Sequence, residues 1–215
     1  MQPQELVPKS EKIAVPRIPI AALLAGALLP VAALFTLDPL APAIVPTLPK
    51  SLVSLAAATT DAVQLKPILA GLGITALIAA IAKSRRTLEI SLYAAVTTLV
   101  ASGITHILKQ IFGRARPTLF ETQGLYGHNP FSGQFDFESF PSGHATHAAA
   151  LFAALAFTFP QFRYGFAVLA LWFAATRVML GVHYPSDVTA GLMIGILSAA
   201  VIARPFARFE KLFRK

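Results

Sequence analysis

Cysteine is absent from the 215-residue chain, which excludes a disulfide framework, a zinc–thiolate centre and a cysteine nucleophile. Charge is scarce as well: Asp, Glu, Lys and Arg make up 13% of the residues, about half the usual share of a soluble domain. So little charge cannot cover a water-facing surface, and a soluble enzyme, a disordered tail and a coiled coil are excluded with it. Acidic residues are the scarcer sign, 10 against 18 Lys and Arg, for a net charge of +8. No basic stripe interleaved with aromatics runs along the chain, so nucleic acid is not an expected partner. The basic excess suits cytoplasmic loops facing anionic lipid. What the chain has in abundance is apolar sequence, 55% of all residues.

That apolar sequence falls into runs. A membrane-spanning helix takes roughly 17–25 mostly apolar residues. The stretches between charges are residues 18–37, 67–82, 90–108, 139–162, 164–182 (which contains Arg177) and 188–203. They predict an all-α fold: a polytopic membrane helical bundle of about six transmembrane helices, with residues 1–215 forming a single membrane-embedded domain. The first run is longer than a signal-peptide core and is followed by Pro39 and Pro42 where a small-residue cleavage motif would stand, so it is expected to be retained. Four prolines make residues 38–50 an expected extended connector. Residues 51–65 suit a short interfacial helix, and 110–140 form the one long polar loop.

Six spans put both termini on one side. With the termini inside, the inner segments hold Lys9, Lys12, Arg17, Lys83, Arg85, Arg86, Arg163, Arg204, Arg208, Lys211, Arg214 and Lys215, and the outer side holds Lys50, Lys66, Lys109, Arg114, Arg116 and Arg177. Twelve against six predicts cytoplasmic termini in a multi-pass cell-membrane protein.

Nearly every unusual polar residue lies in three short stretches: 109–117, 139–144 and 176–187. With alternating spans, all three come to the outer membrane face. In the third, His183 and Asp187 are four apart at a helix start, where Pro185 suits an early position and Ser186 a cap. A carboxylate so placed can hold one imidazole nitrogen and leave the other free to attack. In the second, Pro141-Ser142-Gly143 turns into a helix whose first amides form an anion site, with His144 on its rim. In the first, Lys109, Arg114 and Arg116 are cations at a span end. The competing readings are a buried ion pair with a helix-end Arg177, a plain capped helix, and snorkelling side chains. Read together, the stretches supply cations and a helix N-terminus for a phosphoryl group, two histidines and an orienting Asp.

Lys109-x6-Arg116-Pro117, Pro141-Ser142-Gly143-His144 and Arg177-x5-His183-x3-Asp187, in this order, resemble the three-part signature of the type-2 phosphatidic acid phosphatase superfamily, which also includes vanadium haloperoxidases. The stretch 109–187 carries the match, and one departure is Thr176, where the family usually has Ser. The resemblance implies an integral membrane lipid phosphatase that works without metal or other cofactor through a phosphohistidine. It implies His183 as nucleophile, His144 as general acid then base, and Asp187 as the orienting carboxylate. Lys109, Arg116, Ser142, Gly143 and Arg177 are implied to bind the phosphate. The expected partners are the bilayer and a lipid phosphate: phosphatidate, phosphatidylglycerol phosphate, a polyprenyl pyrophosphate or a phosphorylated glycolipid.

Two other classes compete. A metal-dependent hydrolase would use His144, His147, His183 and Asp187 as ligands, although a bound cation would repel Lys109, Arg116 and Arg177. A membrane anion or lipid transporter would place its charges near the bilayer midplane; here they gather at span ends. His106 and His147 are expected on the helix faces near the site, and His128 has no assigned role. Arg114 is expected as a headgroup contact or a surface charge. Phe120, Phe131, Phe135, Phe137 and Phe140 are expected either to dip into the membrane interface or to pack the long loop.

Overall fold

The structure, a computed structural model, describes residues 19–212 together with Ile13 and Pro16. Within them the chain forms α1 (Ile20–Thr36), α2 (Ala41–Ile44), α3 (Lys50–Thr60), α4 (Leu65–Ile81), α5 (Arg85–Phe112), α6 (Pro117–Gln123), α7 (Gly143–Thr158), α8 (Arg163–Met179) and α9 (Pro185–Leu212), and no named strand. The six longest, α1, α4, α5, α7, α8 and α9, fall on the six apolar runs. α5 and the 185–207 part of α9 are long and apolar enough to cross a membrane alone. Two bent pairs reach that length when each is taken as one span: Leu24–Thr36 with Ala41–Thr47, bent by 63°, and Lys50–Val63 with Leu65–Ile81, bent by 53°.

α7 is the central helix, packed against α5, α8 and α9. Its buried face is small: Ala145, Ala148, Ala149, Ala150 and Ala154 are all inaccessible. Gly191 and Gly195 of α9 face it so closely that a Cβ on Gly195 would stand 2.6 Å from the Ala150 backbone nitrogen. Small residues on both helices let the backbones approach, which is how membrane helices gain packing energy when lipid is as apolar as their side chains. α1 lies on α9, α3 on α8 and α4 on α5. Large apolar side chains instead point outward, among them Leu28, Phe35, Ile81, Ile107 and Val201. This inside-out distribution, with backbone polar groups satisfied within helices, belongs to a bilayer solvent.

Residues 38–50 differ from the expected extended connector. They form α2 and a 3₁₀ turn over Val45–Thr47, with Pro42 and Pro46 in the opening turns, positions where a missing N–H costs nothing. The long loop is also less open than its composition implies. α5 ends at Gly113 (φ +50), where a Cβ would stand 2.3 Å from the Asn129 carbonyl. Arg114 pairs with His128 in an isolated antiparallel bridge, and α6 follows with Pro117 as its first residue.

The ends of α5 and α8 and the starts of α7 and α9 therefore meet at one side of the bundle. The basic turn at 83–86 lies at the other end of the 28-residue α5, about 40 Å away along the axis. Of the basic residues assigned to the inner side, Lys9, Lys12, Arg17, Arg214 and Lys215 lie outside the described residues.

Candidate active site

His183 follows the turn that closes α8, where Gly181 takes a φ of +64. It is buried, with Nδ1 3.5 Å from Asp187 Oδ2 and Nε2 3.3 Å from Arg116 Nη1. A guanidinium only donates, so Nε2 must be the accepting nitrogen. A neutral ring then carries its proton on Nδ1, which faces Asp187 Oδ2 without completing a hydrogen bond, and turns its Nε2 lone pair to Arg116. Burial pushes the imidazole down to about 4, against the opposing pull of Asp187, so the ring is neutral around pH 7.

Asp187 is held from several sides. Its Oδ2 accepts from Ser139 Oγ at 2.6 Å and from the Tyr184 backbone N–H at 2.9 Å, and Oδ1 accepts from Arg114 at 2.7 Å. Its own carbonyl accepts the Ser142 N–H at 3.0 Å, which joins the second and third sequence stretches directly.

The cations converge. Lys109 Nζ and Arg116 Nη2 both donate to the carbonyl oxygen of Glu138. Arg116 is further fixed by the carbonyls of Phe135 and Val182 and lies 4.0 Å from the Phe135 ring centre. Burial lowers its affinity for a proton, with Asp187 and Glu138 opposing. Arg177 donates to Thr60 Oγ1 at 2.9 Å, while the neighbouring Asp61 lies 4.0 Å from His144 Nε2. The Thr60–Asp61 pair at the end of α3 thus faces both Arg177 and His144. Ser142 precedes α7, but its hydroxyl makes no capping bond. Ser142 Oγ, His144 Nε2 and Arg177 Nε are buried polar atoms without a hydrogen-bond partner. With the first α7 amides at Gly143, such groups suit an anion with several oxygens.

All eight expected site residues therefore come together. The other histidines do not join them: His147 meets Ser102 at 3.2 Å, His128 donates to the Phe112 carbonyl, and His106 is exposed. Among the described residues no group of three or more His, Asp or Glu side chains is placed to hold a metal ion.

Arg114 corrects the sequence reading. It is 3% exposed, neither headgroup contact nor surface charge. It bridges Asp187 and Asp38 and lies 4.2 Å from the Tyr184 ring centre. Ser186 likewise does not cap α9; it sits inside the helix, and its hydroxyl meets Asp38 at 2.5 Å. Asp38, Thr60 and Asp61 are not legible as site residues, because a lone Asp at a span end and polar residues in an expected interfacial helix read as ordinary surface positions, and Ser139, although it opens the second stretch, carries no assigned role there. Of the loop phenylalanines, Phe140 packs on Phe112, Phe135 covers Arg116 and Phe131 is exposed.

The fold and this cluster define a membrane-embedded helical bundle with buried cations, histidines and unpaired polar atoms gathered at one end. Residues 90–210 match the model of the PAP2 superfamily, and the chain belongs to that superfamily. It is 49% identical over 119 residues to the lipid A 1-phosphatase of Rhizobium etli, covering 55% of this chain and 51% of that protein. It is 37% identical over 134 residues to the decaprenylphosphoryl-5-phosphoribose phosphatase of Mycobacterium tuberculosis, covering 60% and 68%. The chain spans about half the length of the Rhizobium relatives it matches. A transmembrane PAP2 type phosphatidylglycerolphosphate phosphatase from Bacillus subtilis superposes with a TM-score of 0.63 over 92% of this chain and 98% of that one, at 22% identity. That likeness concerns the fold.

Proposed function

We propose that this chain is an integral membrane lipid phosphatase that removes a phosphate from a phosphorylated glycolipid, without metal, through a phosphohistidine. The observation that carries the reading is the placement of His183: buried, with Nδ1 3.5 Å from Asp187 Oδ2 and Nε2 3.3 Å from Arg116 Nη1. In this reading Lys109, Arg116 and Arg177, the Ser142 hydroxyl and the Gly143 amide grip the phosphoryl oxygens. His144 takes up a proton with the bound phosphate anion beside it; His183 Nε2 attacks phosphorus, the P–O bond to the lipid breaks, and His144 gives that proton to the departing oxygen. Water then attacks the phosphohistidine while His144 takes one of its protons. The P–N bond breaks, releasing inorganic phosphate and restoring His183. Splitting the hydrolysis in two lowers each barrier, and the fixed cations stabilise charge spread over the equatorial oxygens.

The relatives named lipid A 1-phosphatase and decaprenylphosphoryl-5-phosphoribose phosphatase support a glycolipid over phosphatidate, phosphatidylglycerol phosphate or a polyprenyl pyrophosphate. The described helices work as one unit, with both termini cytoplasmic and the site facing the outer leaflet; the distribution of Lys and Arg supports that orientation.

Phosphate release by the purified protein from a panel of these lipids, with and without chelator, tests the reading. Glycolipid phosphate should turn over fastest and chelator should have no effect. His183→Ala should abolish release, and acid-labile phosphate should be trapped on His183 in the active protein. Phosphate trapped on His144 instead, or equal rates on soluble phosphomonoesters, would overturn it.

A further inference from the structure

Asp38 lies outside the PAP2 segment, in the turn after α1, where its N–H bonds back to the Ala33 carbonyl. Its side chain is nonetheless buried at the back of the site. Oδ2 accepts from Arg114 Nη2 at 2.8 Å and from Ser186 Oγ at 2.5 Å, and Oδ1 accepts the Ser186 N–H at 2.9 Å. Arg114 uses its other terminal nitrogen on Asp187 Oδ1 and on Ser186 Oγ, both at 2.7 Å. One guanidinium thus stands between two carboxylates, only one of which faces His183.

The arrangement has an electrostatic consequence. Asp187 and Arg114 alone would form a neutral pair, and the carboxylate would offer the imidazole little net field. With Asp38 on the far side of Arg114, the buried trio carries one net negative charge, and that charge stays beside His183. The ring needs it most when Nε2 bonds to phosphorus while Nδ1 keeps its proton, because the ring then carries positive charge. Burial keeps solvent from screening the effect. Arg114 holds its proton firmly: burial opposes it, but Asp187 and Asp38 outweigh burial and raise its affinity.

We propose that Asp38 is a positioning residue of this active site, which by neutralising Arg114 leaves the charge of Asp187 available to the His183 phosphohistidine. The inference rests on the phosphatase reading for its chemistry, but it also makes a claim about the His183 ring that does not need turnover.

Three variants test it: Asp38→Asn, Asp38→Glu, and Asp38→Asn combined with Arg114→Gln, which restores one net negative charge. Asp38→Asn should lower kcat by about tenfold, the equivalent of one pKa unit of charge interaction, with KM little changed. It should weaken vanadate binding to a similar extent, since vanadate bonded to Nε2 reproduces the charged ring. Asp38→Glu should keep most activity, and the double variant should recover part of the loss. Wild-type kcat and vanadate affinity in Asp38→Asn would overturn the proposal, and so would a folded double variant less active than the single one. If Asp38→Asn does not fold, a folded and active double variant supports the proposal; failure of both to fold makes Asp38 merely structural and overturns it. Histidine NMR separates this from the wider reading. Should the wild type neither turn over lipid phosphate nor bind vanadate, the phosphatase reading falls. The His183 ring should even then titrate at lower pH in Asp38→Asn than in wild type or Asp38→Glu, and an unmoved midpoint would overturn the proposal.

Discussion

Gly191 of α9 lies against the backbone of Ser142: a Cβ at Gly191 would stand 2.6 Å from the Ser142 carbonyl oxygen and 3.1 Å from Thr146 Oγ1. The same carbonyl accepts the Thr146 N–H and opens α7. The contact therefore sets how closely the helix bearing Asp187 approaches the helix bearing His144. Gly191→Ala should push α7 and α9 apart and destabilise the bundle by about 1–3 kcal/mol, the usual range for overpacking, with a matching loss of activity. Gly103→Ala is the control: a Cβ there meets nothing within 4 Å, so the helix should lose nothing and gain a few tenths of a kcal/mol or more. Thermal unfolding in detergent compares the two, and equal melting temperatures would contradict the packing argument.

His183 should remain neutral well into the acid range, since burial pushes its ring down to about 4 while Asp187 opposes. An unfolded chain would protonate the same ring near 6.5. Between those values the unfolded state binds more protons, so stability should fall as pH falls through that window. In ¹⁵N-histidine spectra the His183 ring, assigned by its disappearance in His183→Gln, should keep its neutral shifts at pH 5. A midpoint near 6.5 would contradict the burial argument.

Arg177→Lys should lower activity at least tenfold despite retaining the charge. Arg177 spends one terminal nitrogen on Thr60 and keeps its buried Nε unpaired, a division that a planar fork allows and a single ammonium does not. Rates of phosphate release measure it. Full activity in the lysine variant would mean that Arg177 does not grip the phosphate.

The orientation is tested with single cysteines, which the cysteine-free chain makes simple. Ser132→Cys lies in the loop beside the site and Ser84→Cys in the basic turn at the far end of α5. An impermeant thiol reagent applied to intact cells or spheroplasts should label the first and spare the second. The opposite pattern would invert the protein in the membrane.

How much of this was legible in the sequence follows from which signals are local. Charge scarcity and the six apolar runs determined the membrane class and the helices, because the bilayer imposes length and apolarity on each span independently of its neighbours. The spacing of Lys109, Arg116, Ser142, His144, Arg177, His183 and Asp187 determined the candidate site for a similar reason: alternating spans carry those three stretches to one membrane face whatever the packing. The sequence misjudged residues 38–50, where proline proved compatible with short helical turns. It also misjudged Arg114, since a cation at a span end reads like any snorkelling side chain. Only the tertiary structure decided that Arg114 turns inward between Asp38 and Asp187, residues 76 and 73 positions away. It alone brought Thr60 and Asp61 to Arg177 and His144. Those partners are isolated polar residues far apart in the chain, and nothing in their local pattern selects them. A buried charge must find its opposite wherever the packing provides one, and that depends on how closely α1, α7 and α9 approach.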